Sequence, residues 1–183
     1  MKLKAFHAYD IRGHFGTDLT EDLAYKVAYF LPELLDTRRV LLGRDMRLSS
    51  PALHEAVVRG LLDAGAEVWD LGLSTTPFVY YVTARHGFKA SIQITASHNP
   101  KDDNGLKVSR ALALPVGYDS GLAEVERRVM DDKKGNKVVG VPDWKTLLEI
   151  VPNLMRDTMG MIADVNHVKK DGRDIVDVDS NGE

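Results

Sequence analysis

The residues best suited to chemistry lie in one stretch, Thr95-Ala96-Ser97-His98-Asn99-Pro100, followed by Lys101-Asp102-Asp103-Asn104-Gly105-Leu106-Lys107. Ser97 offers a hydroxyl that can act as a nucleophile or carry a phosphoryl group. His98 beside it and Lys107 beyond the turn offer proton transfer and positive charge. Small residues let the backbone turn sharply here, and Pro100 and Gly105 punctuate the loop. The same residues also read as a polar loop whose Ser, Asn and Asp side chains satisfy turn backbone, and neighbouring Ser-His pairs rarely form a triad. Residue types alone leave both readings open. A serine hydrolase using Ser97 and His98 is a weaker alternative, because no G-x-S-x-G elbow surrounds the serine.

Such a loop needs a frame. Lys89 to Thr95 alternates with period two and reads as a strand that delivers the loop at its carboxyl end, where open α/β sheets place ligands. Val40-Leu41-Leu42-Gly43 and Glu67-Val68-Trp69-Asp70-Leu71 read as two more strands. Between them, Ser50-Pro51 opens a helix with Leu53, Val57 and Leu61 on one face and a stop at Gly65, and Thr76-Pro77 repeats the cap-plus-proline device in a segment ending at Gly87. Strand, helix, strand, helix, strand predicts an α/β class with a three-layer α/β/α domain and a mostly parallel sheet, in which some mixed pairing is allowed. Thr20 predicts a capped helix through Leu23, Val27, Phe30 and Leu34, with Pro32 set to end or kink it. Leu122 to Met130 predicts another helix, after which 131–136 reads as a surface loop. Farther on, Trp144 to Met155 reads as one helix or two short ones, and Asp174 to Asp179 as a strand.

Composition narrows the classes. The 183 residues are 44% hydrophobic and 28% charged, enough for a sizeable core and unlike a disordered tail. Lys and Arg number 24 against 27 Asp and Glu, a formal net charge of −3 that argues against a dedicated nucleic-acid binder. Cysteine is absent, which excludes disulfide frameworks, thiolate zinc sites and cysteine nucleophiles. No apolar run is long enough to span a bilayer and the start lacks a secretory pattern, so a cytoplasmic, membrane-free protein is expected.

Taken together, the Ser97 loop with Asn104-Gly105-Leu106-Lys107, Tyr9-Asp10-Ile11-Arg12-Gly13 near the start, and Gly43-Arg44-Asp45-Met46-Arg47 between them resemble three motifs of the α-D-phosphohexomutases, in the same order and spacing. The likeness runs over roughly residues 5 to 130 and is greatest to the bacterial phosphomannomutase/phosphoglucomutase branch. It implies that Ser97 is the phosphorylated serine, exchanging its phosphoryl group with a hexose monophosphate (mannose, glucose or both) through a hexose 1,6-bisphosphate, which also serves as activator. It further implies that Lys107 and His98 assist proton transfer, that Arg12 holds phosphate charge, and that Tyr9 and Asn99 contact substrate. Mg2+ would bind partly through the Ser97 phosphate. Each residue also has an ordinary reading: Tyr9 as half-buried packing, Arg12 as a surface ion pair, Lys107 as a solvated strand end. Arg44, Asp45 and Arg47 read as an internal charge network propping the loop, and His7 and His14 as surface or packing residues.

Family members are multidomain and far longer, with the aspartate-rich metal loop and the sugar-selecting loop in later domains. Asp171-Gly172-Arg173-Asp174 resembles that metal loop only superficially, its aspartates being wrongly spaced. Asp177-Val178-Asp179-Ser180-Asn181-Gly182 matches the opening of a calcium loop but reads better as the end of a strand with an Asn-Gly turn. The expected organisation is residues 1–138 as the phosphoserine domain and 139–183 as a connecting helix plus the first strand of an incomplete second domain. The expectation is thus the phosphoserine-bearing part of a phosphohexomutase, incomplete for catalysis alone and partnered by self-association or further C-terminal domains. A non-catalytic phosphosugar-binding or interaction module on the same fold is the alternative.

Overall fold

Short apolar runs recur between helical segments, and the chain folds by that alternation. The computed structural model describes residues 3–132 and, as backbone, residues 168–170 and 173–175. The elements are β1 (Ile11–His14), α1 (Glu21–Leu34), β2 (Arg39–Arg44), α2 (Ser50–Asp63), β3 (Glu67–Leu73), α3 (Thr76–Arg85), β4 (Ala90–Ile94), β5 (Asp103–Arg110) and α4 (Leu122–Asp132). A separate antiparallel pair, β6 (Val168–Lys170) and β7 (Arg173–Ile175), follows.

The first five strands form one sheet in the order β1-β5-β4-β2-β3. β2 pairs in parallel with both β3 and β4, as strands joined through helical crossovers must. β5 runs antiparallel to β4, because the loop between them holds no helix and the chain simply turns back, and β1 pairs antiparallel with β5 on its other side. The sheet is therefore mixed, within an α/β/α arrangement of the expected class. Leu23, Val27 and Leu31 of α1, Leu53, Val57 and Leu61 of α2, and Val125 and Val129 of α4 bury one face against Val40, Leu42, Ile92, Ile94 and Val108. Val79 and Val82 of α3 cover the other face, with Leu41, Leu71 and Phe88.

Local signals explain most boundaries. Thr20 caps α1 as expected, its Oγ1 accepting from the Leu23 amide at 3.1 Å. Pro32 lies in the last turn, so α1 runs past it to Leu34 without being cut short. α3 is capped one residue earlier than expected, Thr75 Oγ1 accepting from the Phe78 amide at 3.4 Å. Ser50 opens α2 but does not cap it; its hydroxyl turns to Asp45, at 2.5 Å from Oδ1. α1 and α2 meet at Gly60, where any Cβ would run into the Tyr25 carbonyl oxygen.

α4 extends through Asp132, so Asp131 and Asp132, expected in a loop, are helical. It is tied to α1 by Lys26 Nζ, which lies 3.2 Å from both Asp22 Oδ2 and Asp132 Oδ2, and by Arg128 Nη1, 2.8 Å from Glu33 Oε2. Burial works against the Lys26 ammonium, yet hydrogen bonds to Asp132 and Asp22 outweigh it and raise its pKa above 10.5. The strand expected at Asp174 to Asp179 overlaps β7 at its first two residues. The helix expected at 144–155 and the Asn-Gly turn at 181–182 lie outside the described residues.

Candidate active site

β4 ends at Ile94, and the chain enters a loop whose backbone changes direction at Ser97 with φ +54°, a left-handed conformation that costs an L-residue with a Cβ about 1–2 kcal/mol. The Ser97 amide donates to Thr95 Oγ1 at 2.9 Å, which fixes the turn from within. Ser97 itself is exposed, and among the described residues its hydroxyl has no hydrogen-bond partner.

What holds this conformation from outside is Arg47, in the loop after β2. Its Nη1 donates to the carbonyls of Pro100 at 2.5 Å and Asp103 at 2.8 Å. Its Nη2 donates to those of Ser97 at 3.0 Å and Asn99 at 2.7 Å. One planar guanidinium thereby saturates four loop carbonyls, the geometry to which arginine is suited and lysine is not. Asp45 orients the clamp, Oδ2 lying 3.4 Å from Arg47 Nε and Oδ1 accepting the Arg47 amide at 3.0 Å. Ser50 in turn holds Asp45, and buried Asn104 donates to Ser49 and Ser50 Oγ at 2.9 Å each, so β5 and the start of α2 brace the same cluster. The expected charge network beside the loop exists, but it works through backbone carbonyls more than through ion pairs.

A second group gathers where β1 lies beside β5. Arg12 Nη1 donates to Asn99 Oδ1 at 2.8 Å, and its Nη2 forms a short contact with Asp10 Oδ2. Lys107 Nζ lies 3.5 Å from the same Asp10 oxygen. Asn99 Nδ2 donates to Asp103 Oδ2 at 3.0 Å. Asp10, only 6% exposed, thus neutralises two cations at once; residue types did not single it out. Asp10 lies in the bend just before β1, and no spacing signal marks it as the partner of Arg12 two residues on.

The two groups open onto neighbouring hollows. One, of about 1000 Å³, is lined by Ser97, Thr95, Asn99, Arg47, Met46 and Lys101 among others. The other, of about 740 Å³, is lined by Tyr9, Asp10, Arg12, Asn99 and Lys107 among others. Asn99 faces both, with His14. Tyr9 is 79% exposed, so it is not the half-buried packing residue of the ordinary reading. Lys107 is half-buried within a strand and ion-paired, not a solvated strand end, and Arg12 is enclosed in the cluster, not at the surface.

His98 stands apart. It is exposed and forms no hydrogen bond or ion pair among the described residues, so it is not held against Ser97 as a triad base would be. Among the described residues no three His, Asp or Glu side chains gather as a metal-binding group. A divalent cation would therefore meet here little beyond an oxygen carried by Ser97, and these residues alone do not make a closed site for it. Among the described residues no helix is long and apolar enough to cross a membrane.

Comparison with known proteins bears on the family and the fold. Residues 3–135 match the family model for phosphoglucomutase/phosphomannomutase, alpha/beta/alpha domain I. A phosphomannomutase of Klebsiella pneumoniae is 44% identical over 126 residues, 69% of this chain and 80% of that protein. One of Salmonella typhimurium is 46% identical over 126 residues, 69% of this chain but 28% of that protein. A solved phosphoglucomutase/phosphomannomutase family protein of Burkholderia thailandensis superposes with a TM-score of 0.65 at 31% identity, covering 73% of this chain and 31% of its own. The chain thus spans less than a third of the Salmonella and Burkholderia proteins. From the family match and these identities, the chain belongs to the phosphoglucomutase/phosphomannomutase family, matching its domain I over residues 3–135.

Proposed function

We propose that this chain is the phosphoserine-bearing part of a phosphohexomutase that interconverts the 1- and 6-phosphates of a hexose, mannose or glucose. The observation that carries the reading is an exposed Ser97 hydroxyl, without a partner among the described residues, on a left-handed turn clamped by one guanidinium and next to a hollow that Arg12 and Lys107 line. In the exchange, a sugar hydroxyl oxygen attacks the phosphorus on Ser97. The new sugar O–P bond forms as the serine O–P bond breaks, the sugar hydroxyl proton leaves to a nearby side chain, and the bisphosphate then returns its other phosphoryl group to the serine.

Arg12, held in place by Asp10 and Asn99, lines that hollow and is proposed to meet the phosphate charge of the substrate there. Lys107 lines the same hollow and is proposed to take the sugar hydroxyl proton, with exposed His98 beside Ser97 assisting. Tyr9 and Asn99 line the substrate side. Magnesium, when bound through a Ser97 phosphate oxygen, would neutralise charge on the transferring group, with the rest of its shell supplied from outside the described residues. The cytoplasm, where sugar phosphates are handled, is the proposed location.

Because catalysis of this kind draws electrostatic groups from several directions, the 183-residue chain alone is expected to carry little or no substrate through the full cycle of two transfers, whereas one stoichiometric transfer to Ser97 needs only a longer incubation. Intact-mass measurement tests the core of the reading: incubation with glucose 1,6-bisphosphate should add one phosphoryl group at Ser97, and a hexose monophosphate should remove it. Failure to acquire the group would overturn the phosphoserine assignment. The absence, among the described residues, of a base held against the Ser97 hydroxyl favours one second reading, a phosphosugar-binding module without chemistry, which would bind the bisphosphate yet leave Ser97 unmodified.

A further inference from the structure

Tyr9, Asp10 and Arg12 sit on a narrow hairpin whose arms are closed by Phe6 and Ile11. The Arg12 amide donates to the Ala5 carbonyl at 2.8 Å, and the His7 amide to the Asp10 carbonyl at 2.9 Å. The hairpin tip rests against the turn that precedes α4: the Tyr118 amide donates to the Ala8 carbonyl at 2.9 Å, and a Cβ on Gly117 would come within 2.8 Å of that same oxygen. At the other end, the Leu3 amide donates to Glu126 Oε1 in a short contact, while Tyr118 Oη donates to Glu126 Oε2 at 2.7 Å. Glu126 is 4% exposed, an expensive place for a carboxylate unless both oxygens are used, as they are. The hydrogen bond to Glu126, with some desolvation, raises the Tyr118 pKa above 10, so the donating hydroxyl persists through the neutral range.

We infer that Glu126, with Tyr118, is a positioning latch: buried on α4, it fixes both ends of the hairpin that carries Tyr9, Asp10 and Arg12. It touches none of the substrate-facing groups and acts only through the placement of Arg12. The catalytic part of this inference rests on the phosphohexomutase reading; the latch itself does not.

The test uses the full chain with Tyr118→Phe, Glu126→Gln and, as a variant that removes no polar side chain, Gly117→Ala. Melting curves confirm folding of each. Hydrogen exchange of the His7 and Arg12 amides should quicken about tenfold in all three, while amides of β2 and β4 keep wild-type rates. The bisphosphate concentration giving half-maximal phosphorylation of Ser97 should rise about tenfold, with the saturating rate within about threefold of wild type. Hairpin exchange at wild-type rates in the folded variants overturns the latch. Faster exchange with unchanged half-saturation overturns its positioning role. Wild-type chain that never acquires a phosphoryl group overturns the phosphohexomutase reading instead, and the exchange rates still decide the latch.

Discussion

Replacing Arg47 with alanine removes the donor to four loop carbonyls in one step. Hydrogen bonds to a charged group are worth about 1.5–3 kcal/mol each in buried settings. Ser97 and Pro100 are exposed, however, and their carbonyls regain water when the guanidinium leaves, so the four bonds do not add. A net loss of about 2–4 kcal/mol follows. Against it stands the left-handed turn at Ser97, a local strain of about 1–3 kcal/mol that the clamp now outweighs. Without the clamp the two quantities are comparable, and the loop samples other conformations for much of the time. Arg47→Lys keeps a positive charge but offers a flexible ammonium in place of a planar fork, and should fall about midway. Urea unfolding gives the stability, amide exchange at Ser97 and Asp103 reports the loop, and intact mass follows phosphoryl acceptance. Arg47→Ala within 0.5 kcal/mol of wild type (about the noise of a surface substitution), with acceptance unchanged, would refute the clamp.

Ser97→Gly should be more stable than Ser97→Ala by about 1 kcal/mol, because glycine relieves the positive φ, while both lose phosphoryl acceptance; equal urea midpoints would count against strain at this turn. Asp10→Asn leaves Arg12 and Lys107 facing each other without their shared anion, and should destabilise the fold by about 1–3 kcal/mol and weaken bisphosphate binding in calorimetry. Gly60→Ala should cost about 1–3 kcal/mol by pressing α1 and α2 apart, read as a lowered melting temperature. Since the Lys26 pKa is raised on folding, its contribution is complete below pH 10.5 and fades as pH climbs through the higher folded value. Lys26→Met should therefore lower stability at neutral pH and flatten its alkaline decline relative to wild type, and parallel curves would discard that ion-pair network as a source of stability.

Much of the framework could be read from residue order. β2 announces itself as an apolar run because both of its faces are covered, β4 by its period-two alternation, and Thr20 announces α1 because its hydroxyl meets an amide three residues on. Caps at the other two helices slipped by a residue, since Ser49 and Ser50, and Thr75 and Thr76, differ only in where the chain bends. β1 and β5 escaped notice for another reason: β1 has four residues, and β5 opens on the turn-like Asp103-Asn104-Gly105. Gly105 belongs there because a Cβ would lie 2.7 Å from the carbonyl oxygens of both Ile11 and Thr95. At the site, Ser97, Arg12 and Lys107 were legible as residue types, and resemblance supplied their grouping. The Arg47 clamp was legible only as charge near a strand end, because its acceptors are main-chain carbonyls that every residue has. Asp10 was hidden because its role comes from β1 lying beside β5, a pairing between residues nearly a hundred apart.

That separation has a consequence for the order in which the protein becomes competent. β4, the loop and β5 are consecutive and can pair early, since closing a short segment costs little chain entropy. The guanidinium that shapes the loop arrives from 50 to 56 residues away, and the one that reaches Asn99 from 87 away. Contacts of such span form late. A half-folded chain would thus present a serine on an unshaped loop, with Lys101 and Lys107 of the same segment but without Arg47 and Arg12 in place. Under the proposed function, the geometry that presents Ser97 is completed by long-range contacts, so a partly folded chain should accept a phosphoryl group poorly.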